Sequence, residues 1–340
     1  MINWSKGISA KYYASIVDPN TWRDISDISI TGGSVKYTDS GVRVTADVEC
    51  TSFDSEKEYW IRLYLVARQG GEIERVPLFT GIASVPDVTY HGNKATIKIQ
   101  CYSALSIAEK IYLPLGWYAS EGSNGADSIK DLLFDIVKVP VVIDSVSDDE
   151  LPIISQSIIA ESEETNLSMV DKILLAINWR LLIDGDGTIH IAPPSSSVSG
   201  SFDYRNNDIF EMDVSISNNW FDIPNVFRAV GSGVSSIAKD EDPNSPFSIS
   251  NRGREIWANE TDVVLTENEK IGEYANRRLK ELQSVQKTLD YTRRFDPDVK
   301  ISDHVQINYL GQGISGIYYV KSQTLTIGYG GRISEQAEGV

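Results

Sequence analysis

The sequence of 340 residues is 41% hydrophobic and 23% charged, enough apolar material for two or three packed domains. Its formal net charge of −17 disfavours tight nucleic-acid binding and adhesion to anionic membranes, since both draw their affinity from Lys and Arg. No apolar run reaches the length of a membrane span, and Met1-Ile-Asn-Trp-Ser-Lys-Gly7 lacks the basic and apolar regions of a secretory signal.

Residues 1–110 read as hairpin after hairpin. Ser26 to Ile30 alternates and Thr31-Gly-Gly-Ser34 breaks it. Val42, Val44, Ala46 and Val48 share one face of the next run. Tyr59 to Ala67 follows, then the turn Gln69-Gly-Gly-Glu72 and the run Ile73 to Thr80. Val85 to Tyr90, the turn His91-Gly-Asn93 and Ala95 to Tyr102 make another hairpin, and a short helix near Ser103–Lys110 closes the module. Regular short strands with Gly turns predict a barrel or sandwich.

The middle segment, 111–200, changes period. Ile129, Leu132, Leu133, Ile136 and Val137 stand at helical spacing, and a second helix from Thr165 or Asn166 aligns Leu167, Val170, Leu174 and Ile177. Trp179 to Ile183, the turn Asp184-Gly-Asp-Gly187 and Thr188 to Ala192 predict a hairpin, and Pro193 to Gly200 a linker. Residues 201–340 return to β. Phe210 to Asn218 and Val226 to Val230 read as strands, Asp240 to Pro246 as a loop, and Val305 to Tyr309, Ile317 to Val320 and Ser322 to Gly328 as closing strands. One long helix at about 266–287 interrupts, with a capping box at Thr266-x-x-Glu269 and the face Ile271, Ala275, Leu279 and Leu282. The fold class is mainly β (α+β), with an α/β insert at 111–200 between β modules at 1–110 and 201–340.

The acid is unevenly placed. Residues 1–110 carry 12 Lys and Arg against 13 Asp and Glu, residues 111–200 carry 4 against 14, and residues 201–340 carry 15 against 21. The insert therefore holds most of the excess.

Groups able to do chemistry are scattered. His91, His190 and His304 show no metal-ligand spacing, and turns explain Gly231-Ser-Gly233 and Gly313-Ile-Ser-Gly316 better than a nucleophile elbow does. No phosphate-binding loop follows a strand. Asp184 and Asp186 are the best ion-binding candidates, but Ser195 stands where a calcium loop needs Glu, so an Asp-Gly hairpin is the better reading. Asp148-Asp-Glu150 and Glu161-Ser-Glu-Glu164 read as solvated acidic runs, with no pair singled out as acid and base. Trp4, Trp22, Trp60, Trp117 and Trp220 suit core or interface anchoring more than sugar stacking. Cys50 and Cys101, at the ends of two strands, read as buried thiols, with a disulfide left open. No catalytic, metal or cofactor-binding residue is assigned.

Several weak signatures come in one order. Leu78-Phe-Thr-Gly81 precedes a strand pair and the Cys101-Tyr-Ser-Ala-Leu105 turn. Trp179 to Pro193 pairs a helix end with an Asp-Gly hairpin, and Ile223-Pro-Asn-Val-Phe227 opens the second β module. Arg277-Arg-Leu-Lys280, Asp296-Pro-Asp-Val299 and Ser302-Asp-His-Val305 follow. Over about Tyr12 to Ser334 this order resembles the hub protein at the baseplate or tail tip of contractile and related phage tails, prophage tail-like particles included.

The resemblance implies two tube-like β-barrels per chain and a homotrimer whose six barrels form a ring, with the insert outside. It implies a structural virion protein, assembled in the host bacterial cytoplasm and placed at the tail tip, with no enzymatic activity and no cofactor. Its partners would be the six-fold tail tube or distal tail protein, the central spike or tail-tip protein and the tape-measure protein. It would bind no nucleic acid sequence-specifically and have no membrane anchor. The lysin or receptor-binding extension of some relatives would be absent after Val340. DNA must pass such a ring, so Lys and Arg should not dominate its lumen. The competing readings are a cell-wall glycan-degrading enzyme and a carbohydrate-binding adhesin module.

Overall fold

The structure is a computed structural model describing residues 2–339 except 54–57, 92–93, 145–150, 196, 207, 214–220, 232, 264–269, 285–287, 310–313 and 329–331. The first segment forms β1 (Ser9–Val17), β2 (Asp24–Ile28), β3 (Ile30–Thr38), β4 (Val44–Cys50), β5 (Tyr59–Gln69), β6 (Glu72–His91) and β7 (Lys94–Tyr102). The middle segment forms α1 (Leu105–Ala108), β8 (Tyr118–Ala119), α2 (Gly125–Val137), β9 (Val141–Ile143), β10 (Ile158–Ile159), α3 (Asn166–Ile177), β11 (Arg180–Ile183) and β12 (Ile189–Ala192). The third opens with β13 (Val198–Asp203), β14 (Ile209–Asp213), β15 (Val226–Gly231), β16 (Val234–Lys239), α4 (Ile249–Arg252) and β17 (Trp257–Val263). It ends with α5 (Ile271–Ser284), β18 (Thr288–Arg294), β19 (His304–Tyr309), β20 (Ile314–Ile327) and β21 (Arg332–Gly339).

Alternation decides the strands. In β4, Val44, Ala46, Val48 and Cys50 are buried while Thr45, Asp47 and Glu49 point away. Three expected breaks are bulges inside longer strands. Thr31 to Ser34 lies within β3, whose register shifts between Ile30 and Gly32. Ile73–Thr80 and Val85–Tyr90 are one strand, β6, which bends between Ser84 and Asp87. Ile317–Val320 and Ser322–Gly328 likewise fall largely on β20, bulged between Val320 and Ser322. A bulge keeps the ladder going on both sides of an extra residue, so a local dip in the pattern does not end the strand.

The two β segments are joined rather than separate. Strand order in the large sheet is β14-β18-β21-β20-β3-β4-β7-β6-β5-β1-β2, with β19 on β20 and β13 on β19. The seam is the antiparallel pair of β3 and β20, in which Val35 faces Leu325. Both residues are fully buried, so each edge strand covers its ladder with the other module's edge rather than its own. Among the described residues the path ends at β2 and β14 and does not close into a ring. Among the described residues the two expected tube-like modules therefore form two halves of one sheet, and neither is closed into a barrel.

Beneath the sheet lie two apolar clusters, one around Leu63, Phe79 and Ile99, the other around Leu289, Val305 and Val320. The middle segment has its own core, where Ile129, Leu133, Val170 and Ile173 from α2 and α3 meet Ile189 and Ile191. Helix α3 starts as the sequence predicts, whereas α2 begins at Gly125, about a turn ahead of the apolar run that opens at Ile129. Thr165 caps α3 by accepting from the Ser168 N–H at 3.1 Å, and Asn124 caps α2. The long helix is α5, which begins after Lys270, later than expected, and the Thr266–Glu269 box and residues 285–287 lie outside the described residues. It belongs to neither half of the large sheet. Ala275 and Leu279 pack on Phe227 and Ala229 of a separate sheet ordered β16-β15-β17. No helix among the described residues is long and apolar enough to cross a membrane.

Candidate functional site

The large sheet leaves one face open, and that face is polar across the seam. One register row runs Thr292, Ser334, Thr324, Lys36, Thr45 and Tyr102 over β18, β21, β20, β3, β4 and β7. Beside it run Thr326, Ser34, Asp47, Gln100 and Ser84, and on the other side Asp290, Gln336, Ser322 and Thr38. All are exposed or half-buried, while the alternate residues Leu289, Leu325, Val35, Ala46 and Ile99 are buried. Hydroxyls and amides dominate. In these rows Lys36 stands against Asp47 and Asp290, and along the same strands Arg294 and Arg332 are joined by Glu211, 3.8 Å from Arg332, so cations and anions balance here. The groups satisfy one another: Thr292 and Ser334 hydroxyls lie 3.0 Å apart, and the Gln336 amide donates to Asp290 at 3.1 Å.

A buried ion pair fixes the strands under this face. Arg293, with no exposed surface, donates from Nε to Glu335 Oε2 at 2.8 Å and from Nη2 to Oε1. Gln323 donates to Glu335 at 2.6 Å and to the Val299 carbonyl at 3.1 Å, and the guanidinium lies 4.4 Å over the Phe202 ring. The pair links β18, β21 and β20 in one register.

The insert is anchored through the Asp-Gly hairpin. Asp184 to Gly187 turn β11 into β12, with the Gly187 N–H donating to the Asp184 carbonyl at 2.8 Å. The tip lands on Leu78-Phe-Thr-Gly81. A Cβ on Gly185 would stand 1.9 Å from the Pro77 carbonyl oxygen, so only glycine permits this approach. Gly81 is equally constrained, its would-be Cβ lying 2.2 Å from the Tyr102 carbonyl oxygen. Thr80 donates to the Gly185 carbonyl at 2.8 Å, and Trp22 Nε1 and Arg62 Nη2 donate to that of Asp186 at 3.3 and 3.4 Å. Two motifs far apart in sequence thus form one joint.

Three residues with left-handed backbone also grip the insert from outside it. Trp22 (φ 58°) holds Asp186, Arg43 (φ 59°) donates to Asp171 at 2.6 Å, and the Ser302 carbonyl (φ 65°) accepts from Arg180 at 2.8 Å. Such a conformation costs a non-glycine residue about 1 kcal/mol or more. Sequence reasoning missed these grips because left-handed backbone at Trp, Arg or Ser leaves no local signature.

The residues weighed for chemistry are engaged structurally. His190 Nδ1 lies 2.9 Å from Asp144 and Nε2 lies 3.3 Å from Asp184, which also receives Lys300 at 2.6 Å. Asp184 and Asp186 form the hairpin, and among the described residues no group of three or more His, Cys, Asp or Glu could hold a metal ion. His91 ends β6, and His304 stands edge-on to Tyr319 at 5.6 Å.

Glu161 and Glu164 share Lys172, at 3.0 and 2.7 Å. Burial pushes the Glu164 carboxyl up, but hydrogen bonds from Lys172, Ser168 and the Glu161 N–H outweigh it and hold the group below the ordinary glutamate value. A general acid needs the opposite shift. Trp22 meets Trp60 edge-on at 5.2 Å, Trp4 meets Phe295 at 5.7 Å, and Trp117 packs on the insert core, so these four anchor rather than present platforms. Asp148–Glu150, Trp220, Ser232 and Gly313 lie outside the described residues. Cys50 and Cys101 are both buried and free.

No family model matches the sequence, and no curated protein matches it significantly. Solved structures do match in fold. A 43 kDa tail protein of prophage MuSo2 from Shewanella oneidensis aligns with TM-score 0.67 at 14% identity, over 96% of this chain and 97% of that one. A tail protein from Neisseria meningitidis MC58 aligns with TM-score 0.70 at 13% identity, over 97% and 96%. The E. coli c3393 protein is a type VI secretion component with structural similarity to T4 bacteriophage tail proteins. It aligns with TM-score 0.54 at 7% identity, over 92% of this chain and 74% of that one. The chain has the fold of phage and prophage tail proteins.

Proposed function

We propose that this chain is a structural protein of a phage-type tail, a hub at the baseplate or tail tip. The observation that carries this reading is the fold match with two prophage or bacterial tail proteins along nearly the whole of both chains. In this reading three copies form a ring. The sheet halves contributed by residues 1–110 and 201–340 act as its tube-like modules, and residues 111–200 lie outside. The ring meets the six-fold tail tube or distal tail protein on one side and the three-fold spike or tail tip on the other. Its place is the virion tail tip, after assembly in the host bacterial cytoplasm.

The open polar face suits the wall of the passage. A surface of Ser, Thr and Gln without cationic excess stays hydrated and offers DNA or the tape-measure protein nothing to stick to. The glycan-degrading alternative has less support, because Glu164 is held as a carboxylate by Lys172. The adhesin alternative would need several free Trp platforms, and the four tryptophans above are packed, although Trp257 is exposed.

The test is co-expression with the tube and spike proteins of the same tail, followed by affinity purification and native mass spectrometry. The proposal expects a complex containing three copies of the 37.7 kDa chain with both partners. Glycan or peptidoglycan turnover by the purified chain, abolished by one carboxylate substitution, would replace it.

A further inference from the structure

Helix α5 covers one side of the small sheet β16-β15-β17, burying Phe227, Ala229 and Ala238 under Ala275 and Leu279. The residues that alternate with these turn the other way. Ile237, Arg228 and Asn259 stand in one row across the three strands, and all three are exposed. In the next row exposed Lys239 and Trp257 flank the buried Val226. Ile237 is 49% exposed and Trp257 46%, so apolar surface lies open beside the cations. No carboxylate stands in either row. Glu255, just before β17, accepts from Lys239 at 2.7 Å and from Trp257 Nε1 at 3.0 Å. Arg228 has no hydrogen bond or ion pair among the described residues.

Helix α2 carries the complementary surface. Ile129, Leu132, Leu133 and Val137 are buried, while Asp127, Asp131, Phe134 and Asp135 stand exposed on the opposite side. Phe134 is 61% exposed, and none of the three carboxylates has an ion pair among the described residues. Asp127 suits a first turn, where the helix dipole favours an acid. Asp131 and Asp135 have no such reason to be there. Aspartate is a poor helix former, and Asp135 lies in a last turn that holds no basic residue, where the dipole disfavours an anion. Within one chain the insert approaches the small sheet through α3, where Leu175 and Ala176 line the same cleft as Thr261 and Val263 of β17. The outer side of α2 and the open side of the sheet both stay exposed.

We propose that α2 of a second copy of this chain docks on the open face of β16-β15-β17, with Asp131 against Arg228 and Phe134 resting on Ile237 and Trp257. The charges are complementary: an acidic helix meets rows that hold cations and no carboxylate. A helix on each side is the ordinary way to cover a sheet. Phe134 supplies the apolar centre of the contact, and the charges around it set the orientation. The helix of one copy meets the sheet of the next, so the contact is heterologous and repeats around a ring where the rotation closes. This docking names a contact between copies in the ring proposed above and rests on that reading for the number of copies.

The test uses the full chain carrying Phe134→Cys or Ile237→Cys, both at exposed positions, with a short bis-maleimide crosslinker. Cys50 and Cys101 are buried and do not compete. A mixture of the two variants should give crosslinked dimer, and neither variant alone should. Sedimentation over a concentration series should show self-association that Arg228→Glu or Asp131→Arg weakens about tenfold or more, the scale of losing one partner of an interfacial charge pair. Both reversals in one chain should recover most of the affinity, because the pair is then restored with its signs exchanged. The melting midpoint of each variant should match the parent, since the replaced side chains are exposed. Three results overturn the docking: a chain that stays monomeric, crosslinking that does not require both variants, or self-association indifferent to either reversal, which would leave the face to a different partner. Failure of the tail reading is seen separately, as tube and spike proteins that do not copurify with the parent chain.

Discussion

A methyl group at Gly185 would overlap the Pro77 carbonyl oxygen, so Gly185→Ala can be accommodated only by lifting the hairpin from β6. The expected cost is about 3 kcal/mol, as for other overpacked sites, with faster amide exchange over residues 180–192 and little change in the sheet. The thiols give a second test at this scale. Cys50 and Cys101 are free, and burial pushes both above the ordinary thiol value. A thiol reagent should therefore modify neither in the native protein and both after denaturation, and reductant should leave the melting midpoint unchanged. The Asp-Gly pair was legible in the sequence as a turn. That its tip seats on Leu78–Gly81 was not, because the partner lies a hundred residues earlier and glycine is demanded there by a neighbour's carbonyl, not by the turn.

At the scale of elements, the Arg293–Glu335 pair ties β18 to β21 with no exposed charge. Glu335→Ala would leave the Arg293 guanidinium buried and unpaired, at a cost of about 3 to 5 kcal/mol in urea unfolding. The double change Arg293→Met with Glu335→Leu should recover most of it, because it removes the desolvation penalty along with the attraction. Helix α3 supplies a pH test. The Glu164 carboxyl is held below its ordinary value of 4.5. Its contribution is therefore full above that value and is lost as pH falls through the lower folded value. Glu164→Gln should be less stable than the parent at pH 7, and the two unfolding curves should converge in acid below pH 4.5. A constant gap down to the lowest pH would mean that ionisation of Glu164 contributes nothing to stability.

Helices α2 and α3 were readable because one apolar stripe and one cap suffice to define them, as Ile129 to Val137 and Thr165 to Ile177 illustrate. The long strands were read in pieces, since the bulges at Ser84 and Val320 interrupt the alternation without ending the ladder. The sheet of β15, β16 and β17 under α5 was merged with the second β module, because short strands carry no mark of which sheet they join.

For the whole molecule the decisive feature is the seam between β3 and β20, which turns two β segments into one sheet. Nothing local announces it. Val35 and Leu325 are ordinary buried strand residues almost three hundred positions apart, and only their shared register reveals the union. The seam also makes the polar face continuous, which the proposed wall of the passage would require. Converting Thr45, Thr324 and Ser334 to Lys should spare the fold, since all three side chains are exposed or half-buried. It should slow DNA release from assembled particles, with the delay relieved by added salt. The most direct measurement is a cryo-electron microscopy reconstruction of the assembled tail tip. The account predicts three copies around the axis, with Thr292, Ser334, Thr324, Lys36 and Thr45 facing the passage. A different copy number at the axis, or this polar row turned away from the lumen, would contradict it.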